Sequence, residues 1–362
     1  MHKFFSSLYD ASVYLQQPDQ NAGRDEIIEV GKLYYGDTKD IYRALIKFDI
    51  SKVSASFAEY NITGSWKAYL NLKSSKAEEI PLEYTIYANA VSQSWTMGIG
   101  TKFDNITSEG VSWKYRDGTN TWQDNVIAGT ATFTPGTTGS ADAEGGTWYT
   151  ASQASQSYNY EPEDVRMDVT GIVNLWLSGS LPNYGFIVHH SLEAESDTKD
   201  YGALKFFSKE TNTIYEPKLE IAWNDVIFNT GSLSPVTGSV SDDDYKVVFT
   251  NLKTQYKKDT TVKVRVKGRD SYPLKSFTNT FEYDQSKYLP TTTYYQLEDY
   301  ITDDIIIPFN EYSKISCDNK GNYFNLDLST LNVGRVYKLK LKIVEAGIST
   351  IIDDKTKFEI VD

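Results

Sequence analysis

Tyr337-Lys338-Leu339-Lys340-Leu341-Lys342-Ile343 alternates apolar and cationic residues without a break. Val262-Lys263-Val264-Arg265-Val266-Lys267 does the same. Successive side chains of a strand point to opposite faces, so this period of two predicts half-buried antiparallel strands. Turn signals such as Asp117-Gly118 and Lys320-Gly321-Asn322 punctuate runs of this kind. Helical spacing is nearly absent. Its clear instance is Val169, Ile172, Val173, Trp176 and Leu177, an apolar stripe that Asp168 or Thr170 can cap at the start and Gly179 at the end. The expected fold class is all-β with one short amphipathic helix. No internal repeat or heptad series appears, which argues against a fibre shaft.

The chain has 362 residues, which favours two or three domains. Lys and Arg number 36 against 49 Asp and Glu, a formal charge of −13. An acidic chain neutralises phosphates poorly, so nucleic acid is not an expected partner. One cysteine, Cys317, and three histidines leave no disulfide framework and little for a zinc or thiolate site; no cofactor is expected. Aromatic residues make up 14% of the chain, far too many for a disordered protein. The N-terminal residues do not form a signal-peptide pattern, and no apolar run reaches a membrane span. The expectation is a chain that stays in the cytosol where it is made, or leaves by a non-secretory route, without a membrane partner.

Charge divides unevenly. Residues 1–224 carry 18 cations and 29 acids, net −11, and residues 225–362 carry 18 and 20. The Gly/Ser/Pro-rich stretch 229–239 falls at the same place. The expected organisation is a β-sandwich over 1–224, a linker over 225–240 and a smaller, immunoglobulin-like β-sandwich over 241–362.

Read in order, the first 224 residues resemble the DNRLRE family of β-sandwich modules. The motifs that carry the resemblance begin with Asp10-Ala-Ser-Val-Tyr14, Asn21-Ala-Gly23 and Arg43-Ala-Leu-Ile-Lys-Phe-Asp-Ile50. Ser94-Trp95 and Gly110-Val-Ser-Trp113 follow as a tryptophan pair, then the helix from Met167 to Trp176, then Asn183-Tyr-Gly-Phe-Ile-Val188 and Glu216-Pro-Lys-Leu-Glu-Ile221. The resemblance implies a jelly-roll-like sandwich that binds rather than catalyses. Such modules look common in virion proteins of tailed bacteriophages, made in the host cytoplasm and released by lysis. Residues 98–165 are longer than the pattern needs and read as a loop-rich insertion. Residues 225–362 have no counterpart in it.

Candidate chemistry is sparse. His189 and His190 are neighbours on one strand, so they point to opposite faces and cannot chelate one ion together. One is expected on the surface and one packed. Cys317 has no histidine partner in sequence and reads as a buried or half-buried thiol. Asp242-Asp243-Asp244 clusters oxygens but lacks EF-hand spacing, and reads as a solvated turn. Trp95 and Trp113 are expected in the core. Trp122, Trp148 and Tyr149, with Tyr158 and Tyr160 nearby, flank the insertion and are the candidate glycan or partner contacts. Lys263, Arg265 and Lys267, and Lys338, Lys340 and Lys342, form two basic strand faces that read either as solvated sheet faces resisting edge pairing or as docking faces for an acidic neighbouring subunit.

These readings converge on a non-enzymatic virion structural protein at the particle periphery (neck or collar, tail, baseplate edge or head decoration). It would act through protein–protein contacts with other virion proteins in a symmetric homo-oligomeric arrangement. The alternative is a carbohydrate-binding adhesin for host-surface glycans.

Overall fold

The computed structural model describes residues 1–107, 109–123, 132–133, 142–159, 164–273, 286–329 and 331–362. Much of the expected insertion, including most of 130–146, and Tyr160 lie outside the described residues. The chain divides into two compact units: residues 4–221, and residues 222–362 together with residues 1–3.

The first unit is a sandwich built on a nine-stranded sheet. Its order is Ser74–Glu78, Gly202–Phe207, Ile27–Tyr35, Thr38–Lys47, Phe186–His190, Glu83–Val91, Trp148–Asn159 and Thr132–Phe133, with Tyr9–Tyr14 also paired to Thr38–Lys47. A four-stranded sheet runs His2–Ser6, Lys218–Trp223, Trp66–Leu72 and Val165–Asp168. The strand Thr38–Lys47 sits at the centre, because it pairs with Ile27–Tyr35, Tyr9–Tyr14 and Phe186–His190. Its residues Ala44, Leu45 and Ile46 are consequently all buried, which a one-faced alternation does not predict.

Among the described residues three α-helices accompany the sheets: α1 (Ile50–Glu59), α2 (Thr170–Leu177) and α3 (Leu192–Ser196). The expected stripe forms α2, burying Ile172, Val173 and Trp176, with Gly179 at positive φ just beyond its end. At its start Asp168 Oδ1 accepts from the Thr170 backbone at 3.0 Å. Asp49 caps α1 in the same way, accepting from the Ser51 backbone at 3.1 Å. Among the described residues no helix is long and apolar enough to cross a membrane.

The second unit is also a sandwich. One sheet runs Tyr245–Phe249, Thr261–Asp270, Gly321–Asp327 and Ser316–Asp318. The other runs Gln255–Lys257, Lys357–Val361, Val336–Glu345, Thr293–Asp299 and Ile305–Ile307, with Ile348–Ile352 paired to Val336–Glu345. Both alternating stretches are strands here, with Val264, Val266, Tyr337, Leu339, Leu341 and Ile343 turned inward. Tyr295 of one sheet stacks on Phe324 of the other, ring centroids 4.1 Å apart, which fixes the two layers face to face.

The linker expected over 225–240 is corrected. Its backbone bridges Phe228 to Cys317 and Pro235 to Tyr288, so most of it is woven into the second unit. Gly and Ser content signalled turns there, not freedom. Cys317 is a buried free thiol, as expected, and burial pushes it up to about 11. In the 242–244 turn, Asp243 pairs with Lys246 and Asp244 accepts from the Ser239 backbone at 2.8 Å.

Candidate functional site

The strand position of Arg43 places a guanidinium inside the first sandwich, where an isolated charge is costly. The fold meets it with a full set of partners. Arg43 Nε and Nη2 donate to Glu195 of α3 at 3.1 and 2.7 Å, and Nη1 donates to the Gly145 carbonyl at 2.7 Å. The rings of Trp113 and Trp148 lie 4.5 and 5.3 Å from the guanidinium carbon. Lys32, also buried, donates to the carbonyls of Ala194 and Asp197 at 2.8 and 2.7 Å. Two cations of the central sheet thus fasten α3, a helix too short to hold itself.

This centre absorbs the residues expected to meet a glycan. Trp122, Trp148 and Tyr149 are 0, 2 and 1% exposed, so none offers a ring face to a sugar. Trp122 Nε1 instead donates to the Ser112 carbonyl at 3.1 Å, and Trp148 packs on the ring of His189 at 4.6 Å. The expectation fails because Trp122 and Trp148 join one buried cluster with Val91, Trp95, Trp113 and Ile187, and nearness to an insertion in sequence does not decide exposure. Trp95 and Trp113 are in the core as expected. His189 and His190 are both buried, not one of two, because both faces of their strand are covered. Burial pushes each down to about 4, so both are neutral near pH 7. Among the described residues no group of three His, Cys, Asp or Glu is placed to hold a metal ion.

The two basic faces are largely answered within the second unit. Arg265 makes a bidentate pair with Asp318 at 2.6 and 2.7 Å. Lys338 reaches Asp303 at 2.6 Å and Glu298 at 2.9 Å, and Lys340 reaches Glu298 at 2.8 Å. These hydrogen bonds hold the Lys338 ammonium above the usual lysine range. Lys342 lies over the rings of Tyr294 and Phe309 at 5.0 and 5.2 Å, and Lys267 also has an intramolecular interaction. The expected docking role is corrected for Arg265, Lys338 and Lys340, whose charge is already paired. Register explains it: Glu298 stands directly opposite Lys338 across the strand pair. Lys263 differs, because its ammonium sits over the Tyr323 ring at 3.9 Å and no ion pair engages it among the described residues.

A site that the sequence reading missed emerges in the loop over residues 93–121, here termed the clasp. It is mostly without regular secondary structure, yet it is fastened along its length. Asn21 is the hub: its side-chain amide donates to the carbonyls of Met97 and Val111 at 2.8 and 2.7 Å, and its oxygen accepts from the Gly100 backbone at 2.8 Å. Gly98 and Gly110 pack so closely that a Cβ on either would lie 2.6 Å from Asn21 Nδ2, and both hold positive φ. The Lys102 backbone donates to Asp25, and its ammonium meets Glu29 at 2.5 Å while lying 4.1 Å from the Tyr14 ring centroid. Beyond these anchors the chain presents Ile99, Phe103 and Ile106 to solvent, at 56, 89 and 67% exposure. The clasp also helps to line a polar cavity of 310 Å³ with Gln93, Ser94, Arg116, Asn120 and Tyr184.

The architecture therefore defines an all-β sandwich protein whose charged core is spent on rigidity and whose clasp carries its apolar groups outward. No family model matches the chain, and no curated protein matches it. Among solved structures, a DUF4785 family protein from Legionella pneumophila aligns with 99% of this chain at 8% identity and a TM-score of 0.20, and the chain spans 62% of that protein's length. Similarity at that level carries no structural or functional argument.

Proposed function

We propose that this chain is a non-enzymatic structural protein at the periphery of a tailed-bacteriophage particle, acting through contacts with other virion proteins. The observation that carries this reading is the clasp. A flexible loop hides its apolar side chains by collapsing, whereas this one is pinned by Asn21, Asp25 and Glu29 and so holds Phe103 and Ile106 in water. Exposed apolar groups on a rigid support mark a surface meant for a partner. The order of sandwich motifs, with its resemblance to modules found in virion proteins, favours a neighbouring particle subunit as that partner. Mass spectrometry of purified particles tests the proposal. The chain is expected among the particle proteins, and F103S/I106S is expected to reduce its incorporation without lowering the unfolding temperature. Particles that lack the chain, or that take up the double variant normally, would refute the proposal.

A second reading, a carbohydrate-binding adhesin, is supported by the polar cavity beside the clasp, where Arg116, Asn120, Gln93 and Tyr184 supply hydrogen-bonding groups of the kind a sugar needs. Its site would be this cavity and not the buried tryptophans. Binding of the full chain to neutral glycans on an array, lost in R116A, would favour it.

A further inference from the structure

The second unit pairs part of its cations with its own acids. Arg265, Lys287, Arg335, Lys338 and Lys340 each hold a carboxylate of the same unit. An open groove of 510 Å³ lies between the start of the Thr261–Asp270 strand and the segment before it. Lys253, Lys257 and Lys263 line it, together with Asn251, Gln255 and Tyr256, and no carboxylate is among its lining residues. All three lysines are exposed, and among the described residues none is engaged in an ion pair. Of the acids nearby in the fold, Glu359 accepts from the Gln255 amide at 3.0 Å, Asp259 sits in the turn at positive φ, and Asp318, already paired with Arg265, feels the charge of Lys263, whose ammonium rests over the Tyr323 ring at the groove's edge.

We propose that this groove binds an anionic glycan, its carboxylate or ester-anion groups paired with Lys253, Lys257 and Lys263. The site stands on the second unit alone and does not rest on the clasp. Three features support a sugar acid over other polyanions. The groove has the volume of a small-ligand site, enough for a pyranose ring. Asn251 is spent on the Lys263 carbonyl and the Arg265 amide, but the Gln255 amide oxygen and the Thr260 hydroxyl oxygen stand beside the lysines as neutral acceptors for a hydroxyl-rich ligand. Tyr256 is half-buried with its ring edge-on to Phe358, and its hydroxyl accepts from the Lys253 backbone at 2.9 Å. It therefore forms a wall of the groove. It is not a free platform on which successive nucleic-acid bases would stack. The net charge of −13 opposes diffuse attraction of any polyanion, so binding here has to come from local contacts.

Affinity electrophoresis and calorimetry of the full chain at about 0.1 M salt, where distant charges are screened, test the proposal. The probes are polygalacturonate for carboxylates, dextran sulfate for ester anions, and neutral dextran. Retardation by at least one anionic polymer and not by dextran is expected, and the polymer that binds identifies the anion. K253Q/K257Q/K263Q should weaken binding about 30-fold, at roughly threefold for each exposed ion pair. K52Q/K199Q/K320Q, which changes net charge equally at exposed lysines elsewhere, should leave it unchanged, and circular dichroism melts confirm that both variants fold. The proposal is overturned by no retardation, by equal loss in both variants, or by loss in R116A with the groove variant unaffected. Tighter binding to single-stranded DNA overturns it as well. So does glycan-independent self-association that the groove variant abolishes, which would assign the lysines to a second copy of the chain.

Discussion

Arg43 and Glu195 allow the internal logic of the first sandwich to be measured. Arg43→Met removes two hydrogen bonds to Glu195 and one to the Gly145 carbonyl, leaving a carboxylate buried without its counter-charge. Breaking a buried pair from one side costs about 3–5 kcal/mol. Glu195→Met leaves the guanidinium between its two tryptophans with only Gly145 as acceptor, and belongs in the same range. The double variant removes both charges and strands only the Gly145 carbonyl, which costs about 1–3 kcal/mol. The coupling between the two sites is therefore expected to exceed about 3 kcal/mol, and the double variant to be more stable than either single one. Six of the seven tryptophans lie within residues 4–221, so urea unfolding followed by tryptophan fluorescence reports mainly on this unit. With a slope of about 2–3 kcal/mol per molar urea, each single variant should lower the midpoint by about 1–2 M. Additive losses in the double variant, or a shift below about 0.5 M for R43M, would show that the pair is not what fastens α3 to the sheet.

Other outcomes follow from the same geometry. Trp148→Ala should destabilise the first unit by about 3–5 kcal/mol in the same urea assay, because it empties a core site beside Arg43; unchanged stability would contradict its burial. Asn21→Ala strands the Met97 and Val111 carbonyls and the Gly100 amide, so limited proteolysis within 99–107 should accelerate at least tenfold, and an unchanged rate would mean that the clasp does not depend on its hub. Stability should also depend on pH through three buried groups. His189 and His190 are pushed down from 6.5 to about 4, so the unfolded chain protonates first and stability falls as pH drops from 6.5 towards 4. Burial pushes Asp10 up from 3.8 to about 7, so its contribution is present at low pH and is lost as pH rises towards 7. Two groups oppose one in this window, and Asp10→Asn should steepen the acid-side fall in unfolding temperature about twofold; an unchanged slope would show that Asp10 is not protonated in the folded chain.

Strands were the most legible part of the sequence. The alternation at 337–343 and 262–267 survives intact because one face of each strand meets the core and the other meets water. The α2 stripe was equally plain. Helix α1 was not, because it buries only Val53 and Ser56 and its amphipathic signal is correspondingly thin; the N-cap at Asp49 was the available clue. The candidate site was read less well, for a common reason. Whether Lys338 is a docking group or half of an ion pair depends on Glu298, 40 positions earlier, standing opposite it. Whether Trp148 is a ligand platform or a wall around Arg43 depends on a contact between strands far apart in the chain. Local pattern records which face a residue takes, but not which distant residue shares it.

The clasp divides its own residues into two kinds. At its root, Gly98 and Gly110 pack against Asn21 so tightly that neither glycine accepts so much as an added methyl group unless its neighbours shift. At its tip, residues 103–106 touch little and can be exchanged one at a time. A lineage that inherits this chain is thus free to retarget the tip against a changing surface while the root stays frozen. Divergent copies should differ most between Phe103 and Ile106 and share the Asn21 hub unaltered.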